Sequence, residues 1–221
     1  PNNDMLIQIF KDDATAYNKK KHKIFESKGV LNNKISEHIM LLLASKKIPT
    51  HFVKRINDRE QMIKKCEIIP IEFVVRNIAS GSICSRLGIK DGLKLKKPLL
   101  EYYLKEDSLD DPIVSRDHLE LFGWATKKEI EKIDRMSLKI NQCLINHFKK
   151  KGITLVDFKI EFGRLSSNKK KIVLADEISP DSCRLWDSKS KTKLDKDVFR
   201  KGIGNLIDAY EEVASRLGIV H

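Results

Sequence analysis

The chain has 221 residues, 41% hydrophobic and 33% charged, with 43 Lys and Arg against 31 Asp and Glu for a formal net charge of +12. This is long enough for a real core, as one domain or as two small lobes sharing a cleft, and too apolar for disorder. The longest strongly apolar run, Ile39 to Ala44, falls far short of the roughly 20 residues that cross a bilayer. No apolar leader precedes it, so a cytoplasmic protein without a membrane partner is expected. The charge has three explanations, namely nucleic acid, a membrane surface or small polyanionic substrates. The lysine clusters Lys19 to Lys23, Lys94 to Lys97, Lys149 to Lys151 and Lys169 to Lys171 read as solvated turns and helix ends. Cys66, Cys84, Cys143 and Cys183 lack metal-ligand spacing and read as reduced, mostly buried thiols.

In chain order, Met5 to Phe10, His51 to Ile56, Gln61 to Ile69 and Ile71 to Ala79 are rich in Ile, Val and Phe and are predicted as antiparallel strands. Between the first two, Ile35, Ile39, Leu42 and Leu43 recur at helical spacing, with Asn32 or Asn33 as the cap. Pro70 cannot donate to a ladder, so the sheet should break there, and Glu67 to Pro70 becomes a lobe boundary between residues 1–68 and 69–221. Thr126-Lys127-Lys128-Glu129 is a capping-box pattern opening a helix that carries Ile130, Ile133, Ile140, Leu144 and Phe148. Leu155 to Phe162 and Lys171 to Ile178 form a hairpin around Ser166-Ser167-Asn168. A last amphipathic helix holds Ile203, Leu206, Ile207, Tyr210 and Val213 before Gly218. Strands first and mixed elements later predict an α+β fold, with a small antiparallel β lobe over a larger α+β lobe and a cleft between them.

Three segments could carry chemistry. In Leu155 to Gly163 the alternation places Asp157, Lys159 and Glu161 on one strand face, and the returning strand brings Asp176 and Glu177 to the same end. Alternation sends only one of that last pair into the shared face. Carboxylates with a lysine between them suit magnesium and phosphate, although an exposed face of cross-strand ion pairs would give the same pattern. In Val74 to Ser82, Arg76 and the Ser-Gly junction before a short helix at Ile83 to Leu87 could hold a phosphate. Arg184, after the turn at Ser179 to Ser182, could add a second fork or simply pair with Asp181 or Asp187.

These segments, read with Asp12-Asp13-Ala14-Thr15-Ala16, Gly29 to Asn33, Pro49 to Phe52, Pro70-Ile71-Glu72, Asp111-Pro112 and Asp176 to Asp187, resemble the ordered motif set of the phosphoribosylaminoimidazole-succinocarboxamide synthase (SAICAR synthetase) family. The resemblance spans nearly the whole chain. It implies a two-lobed fold similar in plan to protein kinases and ATP-grasp enzymes, with ATP in the cleft, and a ligase that joins L-aspartate to the carboxylate of carboxyaminoimidazole ribonucleotide. It further implies Glu161 and Asp176 as Mg2+ ligands, Asp157 and Lys159 in the same site, and Arg76, Ser82 and Arg184 as the ribonucleotide-phosphate clamp. Lys105 and Asp111 would lie near the reacting carboxylate and the incoming aspartate, and Glu67, Ile69 and Lys11 would meet ATP. Family members are commonly homo-oligomeric, and a dimer is expected. The family begins with a Gly-Lys-x-Lys turn over the ATP phosphates. This chain opens at Pro1-Asn2-Asn3-Asp4, past that element, and is expected to be incomplete at its start.

Two rivals remain open at this point. A nucleic-acid-binding module would want aromatic residues among the basic clusters, and only 7% of residues are aromatic. A phosphotransferase acting on a small hydroxyl compound would use ATP and magnesium but would make no aspartate-dependent product.

Overall fold

The computed structural model describes residues 4–16 and 21–219. Three antiparallel sheets result. β1 (Met5–Ile9), β4 (Phe52–Arg55) and β5 (Glu60–Lys64) form a small sheet in the order β1-β5-β4, while β2 (Asp13–Ala16) pairs with β3 (Lys21–Ile24). The central sheet has the order β11-β10-β7-β8-β9, made from β7 (Ile71–Ile78), β8 (Lys94–Leu104), β9 (Ile113–Val114), β10 (Ile153–Leu165) and β11 (Asn168–Ala175). β6 (Cys66–Ile68) and β12 (Cys183–Asp187) also pair with β10.

The predicted strand from Gln61 to Ile69 is two strands in two sheets. Lys65 divides them, its N–H donating to the Asp4 carbonyl at 2.7 Å, and the chain passes there from the small sheet to the central one. Pro70 makes the second break where it was expected. With no N–H of its own it sits between β6 and β7, and its carbonyl accepts from the Lys105 N–H at 3.0 Å.

Among the described residues six α-helices pack on these sheets: α1 (Lys28–Ser45), α2 (Ser82–Leu87), α3 (Arg116–Leu121), α4 (Lys127–Lys150), α5 (Asp197–Lys201) and α6 (Leu206–Leu217). α4 starts where its capping box put it, with the Thr126 hydroxyl accepting from the Glu129 N–H and the Glu129 carboxylate accepting from the Thr126 N–H. All five of its predicted apolar positions are buried. The start of α1 differs from expectation. Its cap position is Ser27, which makes no side-chain cap bond, and the first-turn N–H of Gly29 instead donates to the Asp12 carboxylate at 2.9 Å. Asn32 and Asn33 lie buried inside the helix, where Asn33 donates to the Asn57 carbonyl at 2.9 Å. A cap supplied from 17 residues away leaves no local signal. α6 likewise begins at Asn205, whose side chain accepts from the Ile207 N–H, so Ile203 falls outside the helix and is exposed.

One apolar cluster runs from Ile35, Ile39 and Leu43 of α1 through Phe73 and Phe162 of the central sheet to Ile133 and Ile140 of α4 and Tyr210 and Val213 of α6. The lysine clusters are solvated but mostly not in turns: Lys94 to Lys97 open β8 and Lys169 to Lys171 lie in β11. Lys149 and Lys150 do end α4. Lys19 and Lys20 lie outside the described residues, while Lys21 to Lys23 belong to β3. All four cysteines are free thiols, and only Cys183 is buried. Among the described residues no helix is long and apolar enough to cross a membrane.

Candidate active site

β10 is the spine of the site because four strands, β6, β7, β11 and β12, pair with it. Its register sets Asp157 opposite Arg76 of β7 on one side and Arg184 of β12 on the other, and Glu161 opposite Ala175 of β11. Alternation then turns Asp157, Lys159 and Glu161 to one face, as the sequence predicts. That face borders a cleft of about 500 Å³ whose wall includes Glu72, Arg76, Asp157, Lys159, Asp181 and Arg184.

At the Asp157 end the charges close on one another. Asp157 is buried, and its carboxylate accepts from Arg76 Nη1 at 2.8 Å and from Arg184 Nη1 at 2.9 and 3.1 Å. Arg76 is only 2% exposed, and its other donors reach Glu101, the Ser80 carbonyl, Ser82 Oγ and the Tyr103 hydroxyl. Burial opposes the Arg76 charge, but Asp157 and Glu101 outweigh it and hold the guanidinium above its usual range. Arg184 binds Asp157 and Asp197, not Asp181 or Asp187 as the local reading offered. Asp187 pairs with Arg216 and Asp181 with Lys28 instead. Arg184 Nη2 makes no hydrogen bond to any described residue and passes where a side chain on Gly81 would sit, since a Cβ there would be 2.3 Å from it. Glycine at position 81, with φ +68°, therefore leaves room for the fork.

Four strand residues away, the other end stays open. Lys159 Nζ lies 2.7 Å from Glu72, 3.4 Å from Glu161 and 3.8 Å from Asp176, while Lys105 Nζ donates to both Glu161 oxygens at 2.7 and 2.8 Å. Burial alone would raise the Glu161 carboxyl, but the ammonium of Lys159 and the hydrogen bond from Lys105 hold it below its usual range. Asp176 is shifted upward, first by burial and then by the charge of Glu161. Strand alternation does not decide between Asp176 and Glu177, because β11 ends at Ala175 and Asp176 has φ 58°. Glu177 turns into the interior, where burial and then Asp181 and Asp176 push its carboxyl up to about 8, and its Oε2 finds no partner among the described residues.

Asp111 also lines the cleft, with its carboxylate accepting from the Glu106 N–H at 2.9 Å. Three expected ATP contacts lie off this wall. Glu67 is exposed and paired with Lys169 at 2.8 Å, Ile69 is fully buried with its N–H on the Phe162 carbonyl, and Lys11 is exposed. Sequence reasoning passed over Glu72, Glu101, Tyr103, Lys196 and Asp197. Glu72, Val74 and Arg76 alternate along β7, so Glu72 was available to the same argument that found Lys159. Lys196 and Asp197 sit in an aperiodic stretch and gave no signal.

Arginines gathered around one carboxylate, with lysines gathered around two others a few residues along the strand, are the kind of chemistry that suits phosphorylated substrates. The comparisons with known proteins agree. The family described as SAICAR synthetase matches residues 1–217. A phosphoribosylaminoimidazole-succinocarboxamide synthase of Pelagibacter ubique is 60% identical over 99% of this chain and 84% of its own length. The crystal structure of the synthase from Ehrlichia chaffeensis superimposes with a TM-score of 0.98 at 49% identity, covering 100% of this chain and 93% of that one. A SAICAR synthetase in complex with ADP gives 0.95 at 44% identity over 98% of this chain and 92% of that one. The fold is that of a family of ATP-dependent carbon–nitrogen ligases. The chain belongs to the SAICAR synthetase family, and its reaction in purine biosynthesis joins L-aspartate to carboxyaminoimidazole ribonucleotide.

Proposed function

We propose that the two ends of the β10 face divide this reaction between them, the arginine end holding the ribonucleotide phosphate and the lysine–carboxylate end handling phosphoryl transfer. The γ-phosphoryl group passes from ATP to a carboxylate oxygen of the ribonucleotide, breaking the bond to ADP and leaving an acyl phosphate. The aspartate amine then attacks the acyl carbon; the C–N bond forms, the C–O bond breaks, and phosphate and a proton leave.

In this reading Arg76, Ser82 and Arg184 clamp the ribonucleotide phosphate. Arg184 Nη2 has no partner among the described residues and would meet the phosphate directly, and Arg76 exchanges its contacts to Ser82 and Tyr103 for phosphate oxygens. Asp157 fixes both arginine planes. Lys159 and Lys105 offer positive charge where the transferred group gains negative charge, and such fixed charge in a partly desolvated site is worth more than in water. Asp111 lies beside the reacting carboxylate. Glu67, Ile69 and Lys11 take the nucleotide where the lobes 1–68 and 69–221 meet.

The donor set fits Mg2+. Glu161 and Asp176 present hard oxygens across Lys159, and the upward shift of Asp176 beside Glu161 marks a carboxylate pair that a divalent cation would relieve. Among the described residues no group of three or more His, Cys, Asp or Glu could hold a metal ion, so the pair would share the ion with substrate phosphates. The bound ion would neutralise charge on the transferring phosphoryl group. The protein acts, in this reading, as a cytoplasmic homodimer, which sedimentation of the purified chain would check.

One observation carries the proposal: Arg76 and Arg184 line the same cleft as Lys159 and Glu72, and Lys159 reaches on to Glu161 at 3.4 Å. The test is ADP release measured with L-aspartate and the imidazole ribonucleotide supplied together and singly. Release that needs both supports it; release that ignores aspartate favours a phosphotransferase.

A further inference from the structure

Outside the cleft, two histidines face each other where α1 meets α4. His38 Nε2 lies 2.9 Å from His147 Nε2, with ring centroids 5.0 Å apart and planes inclined by 40°. The helices fix where these rings can be. Ile35, Ile39 and Leu43 anchor α1 in the core, and Leu144 and Phe148 do the same for the end of α4. His38 and His147 sit at the rims of those apolar faces, half-buried. His38 also borders a hollow of about 310 Å³ shared with Glu37, Leu41, Arg55 and Asp58, which opens this side of the pair to solvent.

At 2.9 Å one ring donates its Nε2–H to the bare Nε2 of the other, so a single proton bridges two nitrogens. Burial and then Lys151 lower the His38 imidazole, while burial, then His38 and the lysines that end α4, lower that of His147 to about 4. Both rings are therefore neutral near pH 7, the form in which imidazole binds a metal. Two neutral imidazoles on two anchored helices make a bidentate ligand set. Metal–nitrogen bonds of about 2.0–2.1 Å at a tetrahedral angle hold two nitrogens about 3.3 Å apart, so the rings would part by only about 0.4 Å. Imidazole suits zinc, nickel or copper, whereas magnesium wants oxygen. Among the described residues no third His, Cys, Asp or Glu completes the set, which leaves the remaining positions to water from the hollow.

We propose that His38 and His147 bind one divalent transition-metal ion of the zinc class between α1 and α4, at a site that shares no residue with the Glu161 and Asp176 pair. The ion takes the place of the bridging proton. The donating ring moves its hydrogen from Nε2 to Nδ1, both Nε2 lone pairs then bond to the metal, and no proton leaves the protein. The ion ties together two helices through residues 109 positions apart in the chain. It stabilises the folded chain because the unfolded one does not hold the two rings together.

The experiment uses the purified full chain without a histidine tag, stripped of metal by a chelator and then held in excess MgCl2. Calorimetric titration with ZnCl2 at pH 7.5 should show one ion per chain, with an enthalpy that does not depend on the buffer because no proton is released. Free zinc about 100-fold above Kd should raise Tm by about 5–10 °C, and further MgCl2 should not. His38→Gln and His147→Gln should each weaken zinc binding at least about 10-fold and remove the rise in Tm, with aspartate-dependent ADP release unchanged. Modification by diethyl pyrocarbonate, mapped by mass spectrometry, gives a reading that needs no variant and decides the matter if either variant fails to fold. Zinc should protect His38 and His147 and leave the exposed His22 and His118 reactive. Zinc affinity unchanged in both variants, or His38 and His147 as reactive with zinc as without it, would mean that the pair shares a proton and nothing more, and would overturn the proposal.

Discussion

The two ends of the β10 face use similar side chains to opposite effect. Around Asp157 two guanidinium groups, two further carboxylates and a tyrosine hydroxyl pair with one another; Arg76 has a partner for each of its nitrogens, and Arg184 is held through Nε and Nη1. Around Lys159 three carboxylates converge on one ammonium, at distances that lengthen from 2.7 to 3.8 Å, and Asp176 is pushed above its ordinary range. The difference teaches that burial by itself does not make a reactive centre. Rigid, forked donors can close a charge cluster, whereas lysines and carboxylates in excess leave one that a further charged group can enter.

Asp157→Asn tests the closed end and carries the largest expected effect. It removes the carboxylate shared by buried Arg76 and partly buried Arg184, and breaking a buried pair costs about 3–5 kcal/mol. Urea unfolding of the variant should show that loss; a variant as stable as the parent would mean the cluster is not mutually dependent.

Removing a carboxylate from the open end should reverse the pattern, with little loss of stability and a large loss of rate. Glu161→Ala or Asp176→Ala should lower magnesium-dependent kcat by about 10²–10³-fold, the scale seen when one preorganised charge contact is lost. Near-normal turnover of Asp176→Ala at modest magnesium would remove Asp176 from the metal site.

Behind the open end, His51 is buried with its Nδ1 unpartnered among the described residues, and burial, then Lys64, lowers its imidazole to about 4 while Glu161 opposes. The folded state thus disfavours the protonated ring. Stability from this group is complete above the unfolded value of 6.5 and is lost as pH falls toward about 4, by on the order of 3 kcal/mol. Unfolding free energies at pH 7.5 and 4.5 should differ accordingly, and His51→Gln should reduce that slope.

Arg184→Lys is a smaller perturbation of the closed end, because lysine keeps the charge and loses the fork. Ribonucleotide binding should weaken by about 1.5–3 kcal/mol with ATP binding nearly unchanged, measured by titration calorimetry. The opposite result would exchange the two anion sites. Changing Lys169 to Lys171 to Gln should do least, because these exposed charges contribute at most about 1 kcal/mol. A modest fall in turnover at 0.15 M salt is expected. Submicromolar binding of unrelated oligonucleotides by the parent, lost in this variant, would instead favour a nucleic-acid role.

Local rules carried the sequence reading as far as local causes reach. The period-two pattern from Leu155 to Gly163 determined that Asp157, Lys159 and Glu161 share a face, the Thr126 and Glu129 pair determined where α4 begins, and the missing N–H of Pro70 determined a break in pairing. Contacts between distant segments lay beyond that reach. The sequence could not show that Asp12 caps α1, that Arg184 would choose Asp157 and Asp197 over nearer acids, or that Glu177 would turn inward once β11 ended. Those outcomes depend on strand register and on which charges share a low-dielectric interior, so only the tertiary structure decided them.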